Sequence, residues 1–289
     1  MSNRIKLSCI FIISFLILNA CQNSETENTD SLIEHGIVML DTTDLQSVPH
    51  HLRHFKIYGK YVKNFNNGIN AAILKGIDIV QSHAPDGGGY FVGITANPPE
   101  SPVYYNLTLF DRPLIEIPRT SSYCSGATFS AFIEAMNLLY ANDTPSLSED
   151  RYEALRMQEP DGGRREDHIK FWGHWNADGF GNHFALVQYS KMGEVIQPEQ
   201  ARPGDFANIS WKSGLGHSVI FLGWTVIDDD KKIVYWSSQT GTNGYGDQIV
   251  SLSRIKSIKV VRLRNPENIF NFNPAQEVTL DVPGDSISW

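Results

Sequence analysis

The sequence predicts an α+β fold in which a cysteine opens a helix and that helix packs on an antiparallel sheet carrying a histidine. Three observations predict it. After Cys124, apolar residues recur at Phe129, Phe132, Ile133, Met136, Leu139 and Tyr140, the three- and four-residue spacing of a buried helical stripe. From about Asp205 to Val250 strand-forming runs alternate with turn clusters, and Ile255 to Leu263 is a further strand candidate. His217 heads the apolar run Ser218 to Leu222, which ends at Gly223 and has the character of a buried strand. A chain of 289 residues that is 41% hydrophobic and 11% aromatic has the material for a sizeable core. Its 24 basic and 32 acidic residues, a formal charge of -8, give no basic face for nucleic acid, and the composition excludes both a disordered chain and a polytopic membrane protein.

Taken in order, residues 1–20 form a leader, with Arg4 and Lys6 before an apolar stretch from Leu7 to Leu18 that is too short to span a bilayer. Its end, Leu18-Asn19-Ala20-Cys21, resembles the lipobox of bacterial lipoprotein precursors, which implies cleavage before Cys21 and lipidation of that cysteine. Loss of the leader takes the formal charge from -8 to -10. Residues 21–31 are polar and read as a lipidated tether. Residues 32–120 form an N-terminal extension or subdomain, with a short apolar segment at Ile37 to Leu40 and a helix from about Val62 to Gln81. Asp86-Gly87-Gly88-Gly89 reads as a loop entering a strand at Tyr90 to Ile94, not as a phosphate cradle. His50, His51 and His54 lack an acidic or cysteine partner at ligand spacing and read as surface histidines, so no metal is expected. Asn106-Leu107-Thr108 is a chance sequon.

Residues 121–289 carry the chemistry. Ser121 and Ser122 are candidate N-caps, which places Cys124 in the first helical turn, where unpaired amides and the positive end of the dipole favour a thiolate. Of the three cysteines, Cys9 leaves with the leader and Cys21 is modified, so Cys124 is left alone in an oxidising compartment. Position alone leaves two readings: a small buried hydrophobe or a reactive thiol. A thiolate nucleophile needs a base, and His217 is placed to supply it. An insertion near residues 142–181 reads as a polar surface crossing, followed by a helix from Asn182 to Val195. Its Trp172, His174 and Trp175, together with Trp211, either wall a cleft or pack an irregular loop.

Cys124-Ser125-Gly126 opening a helix, Arg202-Pro203-Gly204-Asp205 turning into a strand, and Gly216-His217 before an apolar strand occur in one order. In that order they resemble the NlpC-type cell-wall cysteine peptidases, a bacterial branch of the papain-like fold. The resemblance implies a papain-like catalytic domain and hydrolysis of an amide in peptidoglycan stem peptides. The implied bond is the γ-D-glutamyl to diamino acid linkage, with the N-acetylmuramoyl to L-alanine amide as runner-up. It implies Cys124 as nucleophile, His217 as base, and a third polar residue that accepts the Nδ1 proton of His217. A hairpin centred on Asp229-Asp230 puts residue 242 opposite His217, which leaves Ser238 to Asn243 as candidates for the third role, with Gln239 chosen because its carbonyl can accept that bond. Strict alternation instead puts Ser238 and Thr240 on the face of His217, so register decides. Tyr123, Ser125, Trp172 and Trp211 are the substrate-binding candidates. The expected setting is the bacterial cell envelope, with membrane contact only through the lipid, no nucleic acid and no cofactor. A transglutaminase-like acyltransferase and a non-catalytic wall-binding lipoprotein are the competing readings.

Overall fold

In order along the chain come strands β1 (Ile33–Glu34) and β2 (Ile37–Val38), helix α1 (Ile69–His83), strands β3 (Leu107–Leu109) and β4 (Arg112–Ile115), and helices α2 (Cys124–Leu139) and α3 (Glu149–Leu155). Strands β5 (Gly193–Ile196), β6 (Phe206–Trp211), β7 (Gly216–Ile227), β8 (Asp230–Gln239), β9 (Gly244–Ser251) and β10 (Ile255–Leu263) follow. The six form one sheet in the order β5-β10-β6-β7-β8-β9, antiparallel throughout. The protein is therefore mixed α+β, with helices against an antiparallel sheet. This computed structural model describes residues 33–34, 37–40, 47–48, 68–96, 101–116, 120–156, 172, 181–276 and 284–287. The leader, Cys21, the tether, His50, His51, His54, His174 and Trp175 lie outside the described residues.

The two faces of the sheet bury different sets of side chains. Alternation sends Phe206, Ile220, Leu222, Val234 and Trp236 into the larger core with α1 and α2, and sends Ala207, Ile209, Val219, Phe221 and Tyr235 into a smaller core on the far face. Met39 and Ile287 pack on that far face, where Met39 bridges to Trp224 and Ile258 bridges to Asp285. Phe129, Phe132, Ile133 and Met136 of α2 are fully buried, each adding about 2 kcal/mol of apolar burial. The sequence predicts one buried stripe on α2, yet every residue from Cys124 to Ile133 is buried. The reason is close approach from several sides. A Cβ on Gly126 would stand 2.3 Å from the Pro102 carbonyl oxygen, and one on Gly76 of α1 would stand 2.5 Å from that of Ala131.

Several sequence expectations need correction. The described part of the first helix begins at Ile69 and runs on to His83. Tyr90 to Ile94 is not a strand: Tyr90 makes a single bridge to Ser122, the Gly93 amide turns back to the Phe91 carbonyl, and Gly93–Thr95 is a 3-10 turn. The helix expected from Asn182 to Val195 is a short turn (Gly181–His183) passing into a π-helix (Phe184–Tyr189). It ends where Lys191 takes a positive φ of 56°, and β5 follows. Within the expected polar insertion, α3 buries Tyr152 and Leu155, and Trp172 is 1% exposed among Phe129, Phe132 and Phe206 with ring separations of 5.2–5.7 Å. Its indole nitrogen donates to Thr128 Oγ1 at 3.2 Å. Trp172 is thus a core residue and not a substrate contact. Trp172 is drawn inside because it brings a large apolar area and a single donor that finds a partner.

The Arg202-Pro203-Gly204-Asp205 turn has a structural role. Gly204 takes φ +91° against Asn70, where a Cβ would meet the Asn70 carbonyl oxygen at 2.7 Å. The fully buried Asp205 carboxylate accepts two bonds from the guanidinium of Arg262 on β10, at 2.8 and 2.7 Å, one from Asn70 Nδ2 at 2.9 Å and one from the Arg202 amide at 2.8 Å. That ion pair fastens β6, β10 and α1 together.

Candidate active site

Cys124 is the first helical residue of α2, with Tyr123 as the N-cap in extended conformation and no side-chain cap bond. Ser122 does not cap the helix. Its hydroxyl is 2.7 Å from that of Ser238 on β8. One turn into the helix, Thr128 Oγ1 lies 2.9 Å from Ser218 Oγ on β7. These two pairs fix the N-terminal turn of α2 across β7 and β8 beside His217 and Gln239. The glycine cluster completes the frame. Gly87, Gly88 and Gly89 all have positive φ, the Tyr245 amide donates to Gly87, Gly89 donates to Asn243, and the Ser122 amide donates back to Gly89. The loop after α1 therefore stitches the start of β9 to the residues preceding Cys124, a job that needs positive φ and close backbone approach.

Register then decides the partner of His217. The β7–β8 turn uses Asp228 and Asp229, both at positive φ, with Ile227 paired to Asp230, a two-residue hairpin centred one residue earlier than the sequence suggests. An extra residue at Leu222 shifts the ladder once more, so that Ile220 faces Trp236. Continued to the strand end, this register places Gln239 opposite His217. The contact is made: His217 Nε2 is 3.4 Å from Gln239 Oε1. Ser238 and Ser218, one residue away on each strand, point to the helices instead.

The orientation of the Gln239 amide is fixed by its other end. Gln239 Nε2 donates to Thr242 Oγ1 at 2.6 Å and to the Gly246 carbonyl at 2.8 Å, so both amide hydrogens are used and the carbonyl oxygen faces the imidazole. A carbonyl accepts, so the neutral ring carries its proton on Nε2 and its basic lone pair on Nδ1. This corrects the expectation that the third residue holds Nδ1. Burial pushes His217 down from 6.5 to about 4, partly offset by the Gln239 bond, so the ring is neutral at pH 7.

His217 and Gln239 open onto a cleft of about 410 Å³ that Tyr90, Val92, Ile94, Tyr123, Trp211, Leu215, Tyr235, Thr240, Gln248 and Arg254 also line. The Trp211 and His217 rings are 6.1 Å apart, and His217 meets Tyr235 edge-on at 5.5 Å. Cys124 is 1% exposed and is not among the lining residues. Beside it Tyr90 and Tyr123 stack at 5.8 Å, and burial pushes the hydroxyls of Tyr90, Tyr123 and Tyr235 upward, with a smaller push from Cys124. Of the four expected substrate contacts, Tyr123 and Trp211 line the cleft. Ser125 does not. It is 2% exposed and its hydroxyl pairs with that of Ser101, because the first turn of α2 is covered by the 101–103 segment.

Tyr90, Tyr235 and Arg254 are cleft residues that the sequence does not single out, although the glycine cluster beside Tyr90 marks a place where backbones meet. Among the described residues no group of three or more His, Cys, Asp or Glu is arranged to hold a metal ion, and no helix is long and apolar enough to cross a membrane. No family model matches the chain, and neither the curated proteins nor the solved structures contain a match.

Proposed function

We propose that the protein is a lipid-anchored hydrolase of the bacterial cell envelope that cleaves an amide in peptidoglycan stem peptides, with Cys124 as nucleophile and His217 as base. The observation that carries this reading is the Gln239 amide, held by Thr242 and Gly246 so that it fixes the tautomer and plane of a buried neutral imidazole. A general base on the wall of a cleft needs its ring held in one tautomer and plane, which this arrangement supplies. A cysteine opening a helix on an antiparallel sheet fits the papain-like arrangement implied by the resemblance to NlpC-type peptidases.

In this reading substrate turns the Tyr90–Tyr123 pair aside and reaches Cys124. The thiol proton passes to Nδ1 of His217, the sulfur attacks the carbonyl, and the Cys124 amide in the first turn of α2 helps hold the oxyanion. The proton then moves from Nδ1 to the leaving amine, and water releases the acyl group from the sulfur. The implied scissile bond is the γ-D-glutamyl to diamino acid linkage. Product masses from purified muropeptides test it: the intact protein cleaves and His217→Ala loses activity, whereas undiminished cleavage by His217→Ala overturns the mechanism.

The burial of Cys124 favours a second reading, a wall-binding lipoprotein that keeps the cleft without the reaction. Iodoacetamide separates the two. A binding protein with a buried Cys124 labels near neutral pH no faster than a denatured control, whereas an activated thiolate labels faster.

A further inference from the structure

The cleft is electrostatically one-sided. Its lining contains one side chain that is charged at neutral pH, Arg254, and no carboxylate, although the chain carries a net charge of -8. Arg254 is exposed in the short turn between β9 and β10, and among the described residues it has no acidic partner. Every other arginine with a described side-chain contact, apart from Arg254, is tied to a carboxylate or carbonyl, as Arg112 is to Glu149, Arg264 to Glu194 and Arg262 to Asp205. Its guanidinium instead lies 5.7 Å from the Trp211 ring centre, and that ring lies 6.1 Å from His217. Arg254 and His217 therefore flank one indole in a single cleft.

We infer that Arg254 is a specificity residue that binds a peptide carboxylate next to the scissile amide, so the preferred substrate is an acidic stem peptide and not its amidated form. This rests on the reading of the cleft as the site of amide hydrolysis. A guanidinium presents paired donors that match a carboxylate, and the Trp211 face limits its motion so that less freedom is lost on binding. Val92, Ile94 and Leu215 are 43%, 45% and 61% exposed in the same cleft, and they supply apolar contact for the rest of the peptide without competing for its charge.

The test uses L-alanyl-γ-D-glutamyl-L-lysine and the same peptide with both carboxylates converted to amides. For a partly exposed pair the wild-type protein favours the acid form in kcat/KM by about tenfold. Arg254→Gln brings the ratio of acid to bis-amide kcat/KM down to about one, and Arg254→Lys recovers part of that ratio. Calorimetric binding of both peptides to Cys124→Ala, alone and combined with Arg254→Gln, reads the same preference without turnover. An acid preference that survives Arg254→Gln, or none in the parent, overturns the assignment of Arg254. Cleavage that survives Cys124→Ala overturns the hydrolase reading instead, so the two failures are distinguishable.

Discussion

The two faces of β7 and β8 put neighbouring residues to opposite uses. On the helix side Ser218 and Ser238 close hydrogen bonds with Thr128 and Ser122 and seal the sheet to α2. His217 and Gln239, one residue along, pair with each other and line a cleft. The Asp205–Arg262 pair extends the contrast, because it is as polar as any group in the cleft yet every oxygen is matched inside the protein. Polar residues that satisfy one another hold the fold. Polar residues held in position but left with a donor or acceptor toward the cleft are the ones able to do chemistry.

The largest effect expected from breaking the structural side is at Asp205. Asp205→Ala leaves the buried Arg262 guanidinium without its carboxylate and costs about 3–5 kcal/mol in denaturant unfolding, with turnover per folded molecule unchanged. Next comes acid. The folded-state value for His217, about 4, lies below the unfolded 6.5, so the unfolded chain takes up its proton first as pH falls. Stability is fully present above pH 6.5 and drops by roughly 3 kcal/mol on going to pH 4. His183, also lowered to about 4 chiefly by burial, acts in the same direction. His217→Leu makes the unfolding profile flatter over that window.

On the chemical side Gln239→Ala lowers kcat by about tenfold to a hundredfold, because the imidazole stays a base but loses its fixed plane and tautomer. Gln239→Glu separates positioning from packing. A carboxylate beside the ring favours its charged form, so the acid limb of the pH profile moves up from the neighbourhood of pH 4. The smallest effect is at Ser238→Ala, about 1 kcal/mol of stability for one buried hydroxyl pair.

Much of this was legible in the sequence. Periodicity placed α2 and the strands, turn chemistry placed Arg202 to Asp205, and the acceptor needed beside a histidine pointed to Gln239. Three things were not legible, each for a tertiary reason. The β7–β8 turn is centred one residue early, which moves the partner of His217 by two, and Leu222 is an extra residue in β7 that no propensity marks, which moves it by one more, so the residue opposite His217 came out as 242 and not 239. Trp172 lies in polar sequence whose periodicity gives no sign of a core position. Tyr90 and Arg254 reach the cleft from elements far apart in the chain, and no spacing links them to Cys124.

The most direct test of the central claim is muropeptide cleavage by Cys124→Ala, with thermal unfolding to show that the variant is folded. The account predicts a folded protein with no cleavage above background, while binding of the peptide persists. Cleavage at the wild-type rate would contradict it and leave the His217–Gln239 pair without a nucleophile to serve.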